Sequence, residues 1–153
     1  MLKITLILIC ICIIFAFVYG ASRVPDASMK PAIEAGDFVL YYRLDKRFAV
    51  GDVAIFQYQG KTGLGRVAAM EGDVVDITSD GLMINGALQV SQEIYFETLP
   101  FVQGVSFPLT VGNGQVFLLG DYRPSATDSR VYGCVNLEDI QGKVIAVIRT
   151  RGI

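Results

Sequence analysis

The residues best suited to chemistry are one serine, a set of lysines and a short run that mixes aspartates with arginines. Ser28 lies in VPDASMKP, Val24 to Pro31, directly before Met29. A hydroxyl is a poor nucleophile until an adjacent base takes its proton. The chain contains no histidine, which removes every Ser-His-Asp and Cys-His mechanism and the commonest zinc ligand. No metal and no cofactor are therefore expected. Taken alone, a serine this close to a proline reads as a turn or cap residue. Further along, GDYRPSATDSR places Asp121, Arg123, Asp128 and Arg130 in one stretch. By itself an Asp/Arg pair there reads as a surface salt bridge of little energetic consequence.

Such groups need a frame, and the frame is written in β periodicity. Short runs rich in Val, Ile, Phe and Tyr recur between turn residues: DFVLYYR, DVAIFQY, GRVAAM, DVVDIT, GLMING, GQVFLLGD and GKVIAVIRT. They predict strands. Asp80-Gly81 and Asn85-Gly86 flank Leu82-Met83-Ile84 and predict consecutive hairpins over 74–90. The run 97–115, with its prolines and glycines, is expected to be a mobile loop or an edge segment. The fold class expected is mostly β, antiparallel, on a single N-terminal helix.

That helix comes from an uncharged run, Ile4 to Ser22, bracketed by Lys3 and Arg23. It is long enough to cross a bilayer and longer than the apolar core of a removable signal peptide. Val18-Tyr19-Gly20 would be a passable cleavage site under the second reading. The organisation expected is a short cytoplasmic end, 1–3, a membrane anchor, 4–22, and an extracytoplasmic β domain, 23–153. Charges flank both ends of the anchor, so the short end alone favours an N-terminus inside. The 153 residues carry a net charge of −2, with 52% apolar and 18% charged side chains. Without a basic cluster, nucleic acid is not expected as a partner. Cys10 and Cys12 fall in the anchor, which leaves Cys134 alone and excludes a disulfide within the domain.

The stretches VPDASMKP, GDFVL, VGDVAIF, GRVAAMEGDVV and GDYRPSATDSRVYG, in that order and spacing, resemble the type I signal peptidases. These are membrane-anchored Ser/Lys endopeptidases that remove signal peptides from exported proteins. The resemblance runs from residue 4 to 148 and implies an antiparallel β fold of that type. It places Ser28 at the nucleophile and makes Asp128 and Arg130 an ion pair bracing the site, with Asp121 and Arg123 in the same supporting box. It also implies that Val24, Pro25, Asp26 and Leu64 border the bound substrate.

The chain departs from the pattern where the reaction needs a base. The family's general-base lysine precedes the arginine of GRVAAMEGD, and here that position is Gly65. Arg66 cannot replace it, since a guanidinium stays protonated. Lys61 shares a strand face with Gly65 but lies about 13 Å away along the strand, and Lys30 is exposed and protonated. Ala126 stands where a serine commonly hydrogen-bonds the lysine. Asp26 stands where some members place an oxyanion-binding hydroxyl, and a carboxylate there opposes the reaction. The resemblance is thus to the catalytically degenerate signal-peptidase-like proteins of Gram-positive pilus loci, although Ser28 is retained. The function expected is a non-catalytic accessory that holds exported preproteins or pilin subunits at the membrane. The rivals are an active signal peptidase and a self-cleaving Ser/Lys repressor of the SOS type, the latter disfavoured by the anchor.

Overall fold

The computed structural model describes residues 2–90, 94, 96–101 and 103–149. The N-terminal helix α1 spans Leu2–Val18 and is followed without a break by strand β1, Tyr19–Arg23. The apolar side chains from Ile4 to Phe17 are all exposed, so nothing in the β domain covers them. The helix ends short of the expected Ser22 because Tyr19 to Arg23 pair in register with Tyr42 to Phe38. Sheet hydrogen bonds to a fixed neighbour replace the last helical turn, and hydrophobicity alone does not reveal that competition. No helix among the described residues is long and apolar enough to cross a membrane.

The strands that follow are β2, Phe38–Tyr42, β3, Val53–Tyr58, and β4, Lys61–Met70. Next come β5, Val74–Thr78, β6, Gly81–Ile84, and the short β7, Ala87–Leu88. The short β8, Leu109–Thr110, precedes β9, Gln115–Leu119. The single-turn helix α2, Ser129–Tyr132, leads to β10, Val135–Asn136, and β11, Ile140–Ile148. All pairings are antiparallel, in a seven-stranded sheet ordered β1-β2-β11-β3-β4-β9-β10 and a four-stranded sheet ordered β7-β6-β5-β8.

Each expected strand is present. β1, β10 and α2 were not expected, because none of them shows an apolar period of two that is set apart from its neighbours. Asn85-Gly86 turns β6 into β7 with both residues at positive φ, 52° and 79°, the geometry of a primed hairpin turn. The segment expected to be loop or edge supplies the edge strand β8 and is otherwise irregular, but its backbone is tied down. Val105 donates its amide to the Arg130 carbonyl, and Arg130 reaches the Leu99 carbonyl.

Three apolar clusters form the core. One packs Val24, Met29, Ile33, Val39, Tyr41, Ile55 and Leu64 on one face of the large sheet. A second includes Ala54, Phe56, Val67, Leu118 and Ile140, with Tyr132 packed against it. The third joins Ala69, Phe117 and Leu119 to Val75, Ile77 and Leu82, which fastens the small sheet onto β4 and β9. Alternation along β4 therefore points Leu64 and Gly65 into different clusters.

Candidate active site

Ser28 lies in the turn between β1 and β2, half-buried, followed by the fully buried Met29. Two contacts seat this turn on the GDYRPSATDSR segment. The Ser28 carbonyl accepts the Tyr122 amide at 2.8 Å. A Cβ on Gly120 would lie 2.8 Å from the Ser28 carbonyl oxygen and 2.3 Å from the Ala126 Cβ, so only glycine permits the approach. Ser28, Gly120 and Ala126 are thus brought together as the sequence suggests.

The supporting box is a buried network. Asp128, 3% exposed, caps α2 by accepting the Arg130 amide. It also accepts the Gly120 amide at 3.0 Å and holds the Arg130 guanidinium at 2.8 and 2.9 Å. Arg130 extends to the Arg123 carbonyl at 2.7 Å and covers the Phe101 ring. Ser129 accepts the Leu118 amide with its hydroxyl, so Asp128 and Ser129 together tie the helix to the end of β9 and to Gly120 just beyond it. Alongside, Arg66 grips Asp121 with two parallel hydrogen bonds of 2.8 and 2.6 Å. This second pair had no sequence signal beyond opposite charge, since its partners lie far apart in the chain. Both pairs are shielded from water, unlike the surface salt bridge that sequence alone suggests.

On the opposite side the catalytic inventory runs out. The Ser28 hydroxyl makes no hydrogen bond to any described residue, and no lysine amine among them is bonded to it. Lys46 reaches the Ile140 carbonyl, and Lys143 pairs with Asp52 at 2.6 Å. Gly65 is buried, and a Cβ there would stand 2.9 Å from the Leu118 Cβ. At Gly63, on the same face, a Cβ would meet the Phe56 ring at 2.7 Å. A side chain at either glycine would require Leu118 or Phe56 to give way. Meanwhile Asp26 accepts the backbone amide of Ser28 at 2.8 Å. The backbone amide of the residue that bears the hydroxyl is thereby already taken by a carboxylate.

A groove of about 750 Å³ runs beside this turn. Its walls come from Pro25 and Asp26 on one side and from the β3–β4 hairpin, Tyr58 to Gly63, on the other, with Thr127 and Tyr132 between them. Lys61 lines it from the hairpin end. Val24 and Leu64, 3% and 6% exposed, are placed in the core cluster that also holds Met29. Tyr132 had no sequence signal. It stacks on Tyr58 at 4.3 Å and lies against Phe56, and its buried hydroxyl has no hydrogen-bond partner among the described residues. Burial pushes this phenol well above its ordinary pKa, so it remains neutral.

The model of the family described as "Signal peptidase, peptidase S26" matches residues 1–149. A probable signal peptidase I-1 of Synechocystis is 29% identical over 146 residues, covering 84% of this chain and 70% of that protein. The signal peptidase I of Bacillus caldolyticus is 30% identical over 150 residues, covering 84% of this chain and 78% of that protein. The crystal structure of a signal peptidase I from Enterococcus faecalis superposes with a TM-score of 0.53 at 25% identity, over 65% of this chain and 97% of that one.

Proposed function

The chain belongs to the signal peptidase S26 family, and from that premise we propose that it binds exported precursors at the membrane surface without cleaving them. The observation that carries this reading is the base position. Glycine stands there, and even a Cβ at that position would come 2.9 Å from the Leu118 Cβ, closer than packed side chains allow. Loss of the base from a Ser/Lys pair costs on the order of 10³-fold or more in rate, as loss of one member of a triad does. The Asp26 carboxylate on the Ser28 amide adds to the deficit, because the developing negative charge would meet another negative charge.

Binding needs none of these groups. The groove between Pro25 and the β3–β4 hairpin is open along its length and bordered by strands. An extended chain gains affinity there from main-chain hydrogen bonds and selectivity from side-chain pockets. In this reading α1 is the membrane anchor with its N-terminus inside. A 17-residue helix rises about 25 Å and is apolar on every side, which suits a bilayer that thins locally around it. The β domain then stands on the extracytoplasmic face, and its clients are surface-protein precursors, pilin subunits among them.

The test uses the purified full-length chain in detergent with a precursor bearing small residues at the cleavage site. The expected result is saturable binding with no cleavage at neutral pH. Turnover that disappears in Ser28→Ala would show instead an active serine peptidase and overturn the proposal.

A further inference from the structure

Away from the serine groove, the arginine cluster is out of balance. Arg66 is matched by Asp121 and Arg130 by Asp128. Arg123 donates Nε to the Gly120 carbonyl and Nη1 to the Thr98 hydroxyl, both neutral acceptors. No carboxylate among the described residues pairs with it, and its second terminal nitrogen donates to none of them. The side chain is only 6% exposed. Burial holds its pKa down to about 10, so it remains charged at neutral pH.

This guanidinium lines three adjoining cavities of about 320, 140 and 410 Å³. The 320 Å³ cavity lies between the β6–β7 hairpin and the 96–99 segment, walled by Leu82, Leu88, Val90, Phe96 and Leu99. Asp80 and Glu97, both exposed, line the same cavity. One buried guanidinium among apolar walls, with two exposed carboxylates on the same lining, fits a single negative charge on an apolar group that carries a positive charge beside it. Multiply charged anions are disfavoured by those carboxylates.

We propose that this cavity binds the C-terminal carboxylate of a peptide whose last residue is apolar, with Arg123 as the carboxylate partner. A guanidinium and a carboxylate are geometrically matched and gain strength in a desolvated site. A basic residue one position earlier would face Asp80 and Glu97. The site shares no lining residue with the groove at Ser28 and does not depend on how that groove is used.

The probe is N-acetyl-Lys-Leu, compared with the same dipeptide as its C-terminal amide, titrated by calorimetry or NMR into the full-length chain in detergent. The acid is expected to bind saturably and the amide at least about tenfold more weakly, since a charged hydrogen bond is lost. Val90→Asp alters a wall residue that is 84% exposed, so folding is retained. It is expected to weaken the acid by a similar factor with an unchanged melting temperature. Arg123→Gln is expected to abolish the preference for acid over amide wherever it folds. Equal binding of acid and amide overturns the proposal, as does no binding of the acid. Displacement of the acid by equimolar inorganic phosphate would also overturn it, by showing a general oxyanion site.

Discussion

The two halves of the candidate site have fared differently. The half built from GDYRPSATDSR keeps two ion pairs, a capped turn of helix and hydrogen bonds to the Leu118 and Gly120 amides. The half built from β4 and the Ser28 turn holds a serine, but glycine at the base position and a carboxylate on the amide. The difference teaches what each half contributes. The first holds strands together whether or not anything is cleaved, so its loss would cost the fold. The second borders the groove, and nothing in the fold requires an amine there; a buried lysine amine kept uncharged would be a stability burden. With glycine at position 65, Leu118 and Phe56 pack close against the strand.

The largest effects should therefore come from the bracing half. Asp128→Ala removes the cap of α2 and the acceptor of the Gly120 amide, and it leaves Arg130 buried without a counter-charge. Breaking a buried pair from one side costs about 3–5 kcal/mol, a large part of the stability of a small domain. Asp128→Ala is expected to lower the denaturation midpoint drastically or to prevent folding. A change below about 1 kcal/mol would make the pair no better than a surface salt bridge and erase the contrast.

Next in size is Gly65→Lys. The new side chain must displace Leu118, whose Cβ is 2.9 Å from the required position. Overpacking of this kind costs about 1–3 kcal/mol. It is expected to destabilise the chain without yielding turnover, because Ala126 offers the amine no hydrogen bond and Asp26 still holds the Ser28 amide. Pairing it with Leu118→Ala should recover little of the loss, because alanine keeps the Cβ that stands in the way. If Gly65→Lys alone were as stable as the parent, the base position would be vacant rather than closed.

The same contrast marks what could be read from the sequence. The strands were legible because alternating apolar runs between turn residues encode a half-buried sheet. The Asp128–Arg130 pair was legible only through the family resemblance, since the two residues by themselves read as a surface salt bridge. Arg66 with Asp121 was not, because only the β4–β9 pairing brings them together. β1 was hidden by its apolar neighbours, and its strand exists only through pairing with β2. Gly65 could be read as a missing amine, but not as a packed position. That distinction depends on where Leu118 and Phe56 sit, and neither carries a local sign of it.

Smaller again is Asp26→Ala, which tests the amide directly. Asp26 is exposed and its contact with Ser28 spans one turn, so its loss should cost about 0.5–1.5 kcal/mol or less. The Ser28 amide is expected to become available, visible as faster hydrogen exchange at that residue alone. Unchanged exchange would mean that the carboxylate does not hold the amide.

The smallest effect is expected from Ser28→Ala, and it is the most informative about function. The hydroxyl has no partner among the described residues, so replacing it strands no donor or acceptor and should move stability by less than about 0.5 kcal/mol. In an enzyme the same change removes the nucleophile and nearly all turnover. In a chain that only holds its client, binding of the precursor should be unchanged and surface-protein assembly in cells normal. Thr127→Arg is the counterpart. Thr127 is exposed on the groove, and a long charged side chain there should obstruct an extended client while leaving the fold intact. Normal assembly with Ser28→Ala and failure with Thr127→Arg would place the function in the groove. Failure with Ser28→Ala would place it in the hydroxyl, and the half of the site that has lost its base would have to be read as a working one.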